Sequence, residues 1–157
     1  MSIELVKEYL SKFDLEDRII ELKAETGTVE QAALALGCEG KQIAKTMAFN
    51  VCNSAVLVLL AGDTKVDNSK FKAFFGVKAK MLTSEELDKY VGHKMGGVCP
   101  FAINENVKVY LDNSLKRFDI VYPAAGTDHS AVKLTIEELE QSSNYISWID
   151  IGKLREI

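Results

Sequence analysis

The stretch Ala55–Ala61, AVLVLLA, constrains this chain more than any other. It is the longest apolar run, and no polar residue alternates through it. That pattern reads as a β-strand buried on both faces rather than one with a wet side. It is far too short to span a bilayer, so no transmembrane helix is expected. The N-terminal MSIELVKEYL places Glu4 early and has no basic segment followed by an apolar one, so it does not read as a signal peptide. A cytoplasmic location is the default expectation. With 157 residues, one domain with its own core is expected.

The elements around that strand alternate in type. Ile3, Val6 and Leu10 recur at helical spacing. A second helix is expected over LEDRIIELKA. Thr28 with Gln31, Thr83 with Glu86 and Thr135 with Glu138 each form a capping box, opening helices in TVEQAALALG, TSEELDKYVG and TIEELEQS. Gly37 and Gly92 fit just beyond two of these helices. NSKFKAFFG reads as a short helix capped by Asn68 or Ser69. Strands are expected in QIAKTMAFNV, AKML, NVKVYLD, FDIVYPAAG, AVKLT and YISWID. This mixture gives an α/β or α+β fold with a mixed sheet. Strict βαβ repetition and GxGxxG are absent, which argues against a dinucleotide-binding fold.

Charge is unevenly spread. Residues 41–94 hold nine lysines against five acids, whereas the whole chain carries −4. A local basic face can meet an anionic partner even on an acidic protein; a solvated lysine surface is the plainer reading. The three cysteines, Cys38, Cys52 and Cys99, form no CxxC, and the two histidines, His93 and His129, show no metal-ligand spacing. No metal and no cofactor are expected.

Few groups stand out chemically. No GxSxG is present. His129, after Asp128, reads as an exposed loop residue. Cys99 is either a small apolar plug or a nucleophile, and a thiolate would need a basic neighbour, with His93 and Lys94 close along the chain. Lys45, in the apolar context IAKTMAF, either snorkels from a strand edge or points into a cleft to hold a phosphate or polarise an ester. The Gly96–Pro100 stretch, GGVCP, interrupts the regular elements with two glycines and a proline. As sequence alone it is an ordinary tight turn between a helix and a strand.

Taken in order, KQIAKTMAF, GDTKVDNSKFKAFFG, GHKMGGVCPFAI, VYLDNSLKRFDIVYPAAG and AVKLTIEEL resemble the aminoacyl-tRNA deacylases related to the editing domain of bacterial prolyl-tRNA synthetase, the YbaK family. The resemblance runs from about residue 26 to 151. It implies a curled mixed β-sheet forming an irregular barrel with surrounding helices, in a single domain over residues 1–157. It implies a trans-acting hydrolase that cleaves the ester of a small amino acid mischarged on proline tRNA. The family lysine falls on Lys45 and the family GxxxP loop on Gly96, Gly97 and Pro100. These would be catalytic, with loop backbone groups and the substrate ribose hydroxyl aiding water. Asp112, Gly126 and His129 would contact substrate. One departure is Ala102, where the family commonly has glycine after Pro-Phe.

The partners implied are the acceptor end of an aminoacyl-tRNA and prolyl-tRNA synthetase, with no membrane and no DNA. Lys65, Lys70, Lys72, Lys78, Lys80, Lys89 and Lys94 are candidates for phosphate contact. Two other readings stand beside this one. The first is a non-catalytic module binding tRNA, nucleotide or synthetase on the same fold, and the second is a Cys99 thiol hydrolase.

Overall fold

A computed structural model describes residues 2–155 of the chain. Helix α1 (Ser2–Ser11) leads through a 3₁₀ turn at Glu16–Arg18 into β1 (Ile19–Glu21). Helix α2 (Val29–Leu36) precedes the long hairpin of β2 (Ile43–Val51) and β3 (Ser54–Ala61), then β4 (Thr64–Val66) and α3 (Asn68–Phe75). Helix α4 (Ser84–Glu86) runs on into a π-helical turn, Leu87–Val91. The chain continues with β5 (Lys108–Asp112), a 3₁₀ turn at Asn113–Arg117, β6 (Ile120–Pro123), β7 (Ser130–Val132) and β8 (Leu134–Thr135). Helix α5 (Ile136–Ser142), β9 (Ser147–Ile149) and β10 (Gly152–Leu154) complete it.

Six strands form a mixed sheet in the order β8-β6-β2-β3-β5-β9, curled into a half-barrel. Strands β2 and β3 pair antiparallel, whereas β6 joins β2, and β5 joins β3, in parallel. Two small pairs, β1 with β7 and β10 with β4, lie outside it.

The AVLVLLA segment is the central strand, and both its faces are covered. Leu57, Leu59 and Ala61 point into the larger core with Val6 and Leu10 of α1, Leu111, Leu115 and Leu139. Val56, Val58 and Leu60 point the other way, toward Phe71 of α3, Phe49, Ile149 and Ile151. A strand in this place has no solvent face on which a polar residue could sit, which is why its sequence shows no alternation.

The three capping boxes form as the sequence predicts, and Gly37 and Gly92 close their helices in the left-handed conformation. The expected helix over LEDRIIELKA does not form. Ile19 and Ile20 instead pair with Val132 and Ala131, so strand pairing overrides a weak helical preference. AKML contributes only a single bridge, Met81 to Phe49. The α3 cap is Asp67, not Asn68 or Ser69: its carboxylate accepts from the amides of Ser69 and Lys70. AVKLT divides into β7 and β8 at Lys133. Strands β4 and β10, which pair with each other, have no counterpart in the sequence reading.

One close approach fixes where α2 meets the hairpin. A Cβ on Gly62 would lie 2.0 Å from the carbonyl oxygen of Gly40 and 2.8 Å from Val29. No rotamer relieves a clash with backbone. Gly62→Ala is expected to cost about 3 kcal/mol, seen as a lowered midpoint in urea unfolding. An unchanged midpoint would mean that the Gly40 turn moves freely.

Candidate functional site

The free edge of β2 changes partner along its length. Strand β6 pairs with Ile43 and Ala44 only. Beyond, Leu82 donates its amide to the Ala48 carbonyl, and Asn50 donates to the Lys80 carbonyl. Even-numbered residues of β2 therefore turn their backbone groups away from β3. Between these two attachments the strand edge at Lys45–Met47 borders a cleft of about 380 Å³. Its walls come from Gly27–Val29 at the start of α2, from Met81 and Leu82, from Met95, Gly96 and Val98, and from Ser130 and Ala131.

The lining is mostly apolar, and among the described residues Lys45 is its one charged member. The Lys45 ammonium donates to the carbonyl of Thr64. An ammonium has three donors, and this bond uses one of them. Burial, and next the nearby Arg155, hold Lys45 below the ordinary lysine range, while Asp63 and Glu30 oppose the shift. The hydroxyl of the next residue along the strand, Thr46, is buried and finds no partner among the described residues.

The Gly96–Pro100 loop packs against the turn that carries Gly126. A Cβ on Gly97 would lie 2.5 Å from the carbonyl carbon of Gly126 and the nitrogen of Thr127. Gly97 is thus a contact between two pieces of backbone. Gly96 lines the cleft, but Gly97 and Pro100 are buried behind it. The Gly126 turn is stitched to Thr26. Thr26 donates its hydroxyl to the Ser130 carbonyl at 3.2 Å and accepts from the Ser130 amide at 3.1 Å. Thr26 and Ser130 are buried residues of the cleft wall that sequence reasoning missed. Neither belongs to a motif, and only the fold brings them together.

The remaining predicted residues lie apart from the lining. Asp112 is buried at the end of β5, where its carboxylate accepts from the amides of Ser114, Ile151 and Gly152. These bonds tie β5 to the start of β10. His129 is half-exposed, its Nδ1 3.0 Å from the Asp128 carboxylate, on the turn that abuts Gly96. Cys99 is wholly buried, and that burial pushes its thiol up to about 12, with the Phe101 backbone opposing. A thiol neutral at every physiological pH and out of reach of solvent is no nucleophile, so the Cys99 hydrolase reading is set aside.

A model of the aminoacyl-tRNA editing domain matches residues 23–141. The chain belongs to the aminoacyl-tRNA editing domain family. It is 41% identical to the uncharacterized Bacillus subtilis protein YwhH, over 98% of both chains. It is 26% identical to the proline–tRNA ligase of Lactiplantibacillus plantarum over 83% of its own length, and it spans only 23% of that enzyme. A solved structure of a proposed trans-editing enzyme for prolyl tRNA synthetase superposes with a TM-score of 0.87 at 29% identity, over 97% of each chain. The curled mixed sheet that the family resemblance implies is the one the structure has.

Ala102, the departure from the family glycine, adopts φ +55°. A left-handed alanine costs about 1–2 kcal/mol that glycine does not pay. Ala102→Gly is therefore expected to stabilise the fold by about 1 kcal/mol, raising the melting temperature by about 3 °C. A lower melting temperature would show that backbone entropy outweighs the strain.

Proposed function

We propose that this chain is a trans-acting editing hydrolase that removes a small amino acid from mischarged proline tRNA. The observation that carries the reading is a mostly apolar cleft whose single charged lining group, among the described residues, is Lys45, in a member of an editing family. The cleft takes the aminoacyl group and the terminal ribose. Lys45 anchors the terminal adenosine or its phosphate through its two spare donors. Backbone groups of the Gly96–Pro100 loop orient the ester carbonyl or the attacking water. Water adds to the carbonyl carbon, the bond to the ribose oxygen breaks, and the proton lost by water ends on that oxygen. The products are the free amino acid and an uncharged tRNA. The neighbouring ribose hydroxyl helps activate the water, so the route calls for no side-chain base. Apolar walls select by size and separate similar small side chains poorly, so part of the specificity falls to the tRNA.

The first test is hydrolysis of alanyl-, cysteinyl-, seryl- and prolyl-charged proline tRNA. We expect one mischarged species to be cleaved, the prolyl species to be spared, and Lys45→Ala to lose about a hundredfold in rate. Folded protein that binds tRNA but hydrolyses none of the panel would support the binding-module reading instead.

Phosphate contact falls to the lysines nearest the cleft. Lys70 is not among the free ones, because it donates to Asp150 and to the Gly152 carbonyl, each at 3.0 Å. Lys80 and Lys94 are exposed and adjoin the cleft residues Met81 and Met95. Reversing both to glutamate should weaken tRNA binding and flatten its salt dependence by roughly two units of slope, about one per lysine. An unchanged slope would move the contact to another face.

A further inference from the structure

His93 is 1% exposed, and its Nε2 lies 2.6 Å from the carbonyl oxygen of Phe101. Two acceptors do not approach so closely, so Nε2 carries the proton and donates it. Nδ1 is then a bare acceptor, and among the described residues it has no hydrogen-bond partner. Cys99 donates its S–H to the same carbonyl at 3.7 Å, with the sulfur 3.5 Å from Nε2. Burial lowers the affinity of the imidazole for a second proton and raises the pKa of the thiol, so it favours the neutral form of each. The proposed hydrolysis uses neither group, yet both converge on one backbone oxygen beside Pro100.

That oxygen belongs to the peptide joining Phe101 to Ala102. The direction of this peptide is coupled to φ of Ala102, which is +55°. Turning the peptide over would return Ala102 to negative φ and release its strain. The same rotation would carry the carbonyl away from His93. Strain and hydrogen bond thus act in opposition on one peptide plane, and the plane follows directly on the Gly96–Pro100 loop.

We propose that His93 is a positioning residue: its Nε2–H, donated to the Phe101 carbonyl, holds the Phe101–Ala102 peptide against the strain of a left-handed alanine and so sets the backbone of the Gly96–Pro100 loop. The kinetic part of the test rests on the editing reading, while the geometric part does not.

His93→Leu should lower kcat for deacylation about tenfold and leave KM within about twofold. His93→Gln, whose side-chain amide can reach the same carbonyl, should keep most of the activity. The decisive variant is His93→Leu combined with Ala102→Gly. Glycine removes the drive to turn the peptide over, so the pair should recover to within about threefold of wild type. With kcat taken per folded enzyme, so that the general stabilisation by glycine drops out, a histidine needed only for packing predicts no such rescue, and a pair as impaired as His93→Leu alone overturns the proposal. Two readouts need no substrate. Nitrogen NMR of the wild-type imidazole should show the proton on Nε2, and a proton on Nδ1 overturns the proposal. The Gly97 amide, which donates to the Lys94 carbonyl at 3.0 Å, reports loop order by hydrogen exchange. It should exchange slowly in His93→Gln and fast in His93→Asn, whose side chain is too short to reach; equal rates overturn the proposal. These readouts also decide it if the leucine variant does not fold. A wild type that hydrolyses nothing would sink the editing reading, and the two NMR readouts would still judge the clamp.

Discussion

Strand β2 is held along one edge by two attachments that do not meet. Strand β6 takes Ile43 and Ala44, and the Lys80–Leu82 segment takes Ala48 and Asn50. Were β6 to follow β2 for one more rung, the strand edge at Lys45–Met47 would be sealed and the cleft closed. Unpaired strand edges are a liability in most folds, open to pairing with any passing chain. Here the gap is short, flanked on both sides, and walled by α2 and the Gly96 loop. That leaves too little open edge for another strand to pair with, and a cavity in its place.

The Gly96–Pro100 loop shows how one sequence pattern can serve two purposes at once. Its glycines suggest backbone laid open for a substrate. Gly96 does line the cleft, but Gly97 meets the chain's own Gly126–Thr127 backbone. The loop is therefore braced from behind by the turn that carries Asp128 and His129. Electrostatic stabilisation by backbone dipoles depends on such bracing, because a dipole free to reorient gives back its advantage as reorganisation.

Much of the fold is legible in the sequence because the signals are local and strong. Capping boxes at Thr28, Thr83 and Thr135 need only residues three apart, and AVLVLLA needs only its own composition. What escapes is whatever a distant partner decides. Ile19 and Ile20 have a helical neighbourhood but are captured by β7. Strands β4 and β10 are three residues each and exist only because they find each other. The site divides in the same way. Lys45 stands out as a charge in an apolar strand, and Gly96 as part of a Gly/Pro cluster. Thr26 and Ser130 stand out as nothing until the fold joins them. The substrate contact at Asp112 comes from the family resemblance alone, and no local signal announces that its carboxylate accepts from three amides of its own chain.

The topology also bears on how this molecule assembles. The β2–β3 hairpin is closed by two turn residues, Cys52 and Asn53, and can form as soon as those strands exist. Strands β5 and β6 join it in parallel only after long crossovers, and such non-local pairing is slow. The cleft draws its walls from Gly27–Val29 near one end of the chain and Ser130–Ala131 near the other. A hairpin nucleus would thus bury the apolar centre early, while the cleft would come into being only with the last long-range contacts. Partly folded chains, whether newly made or recovering from stress, would carry Lys45 without the walls of its cleft.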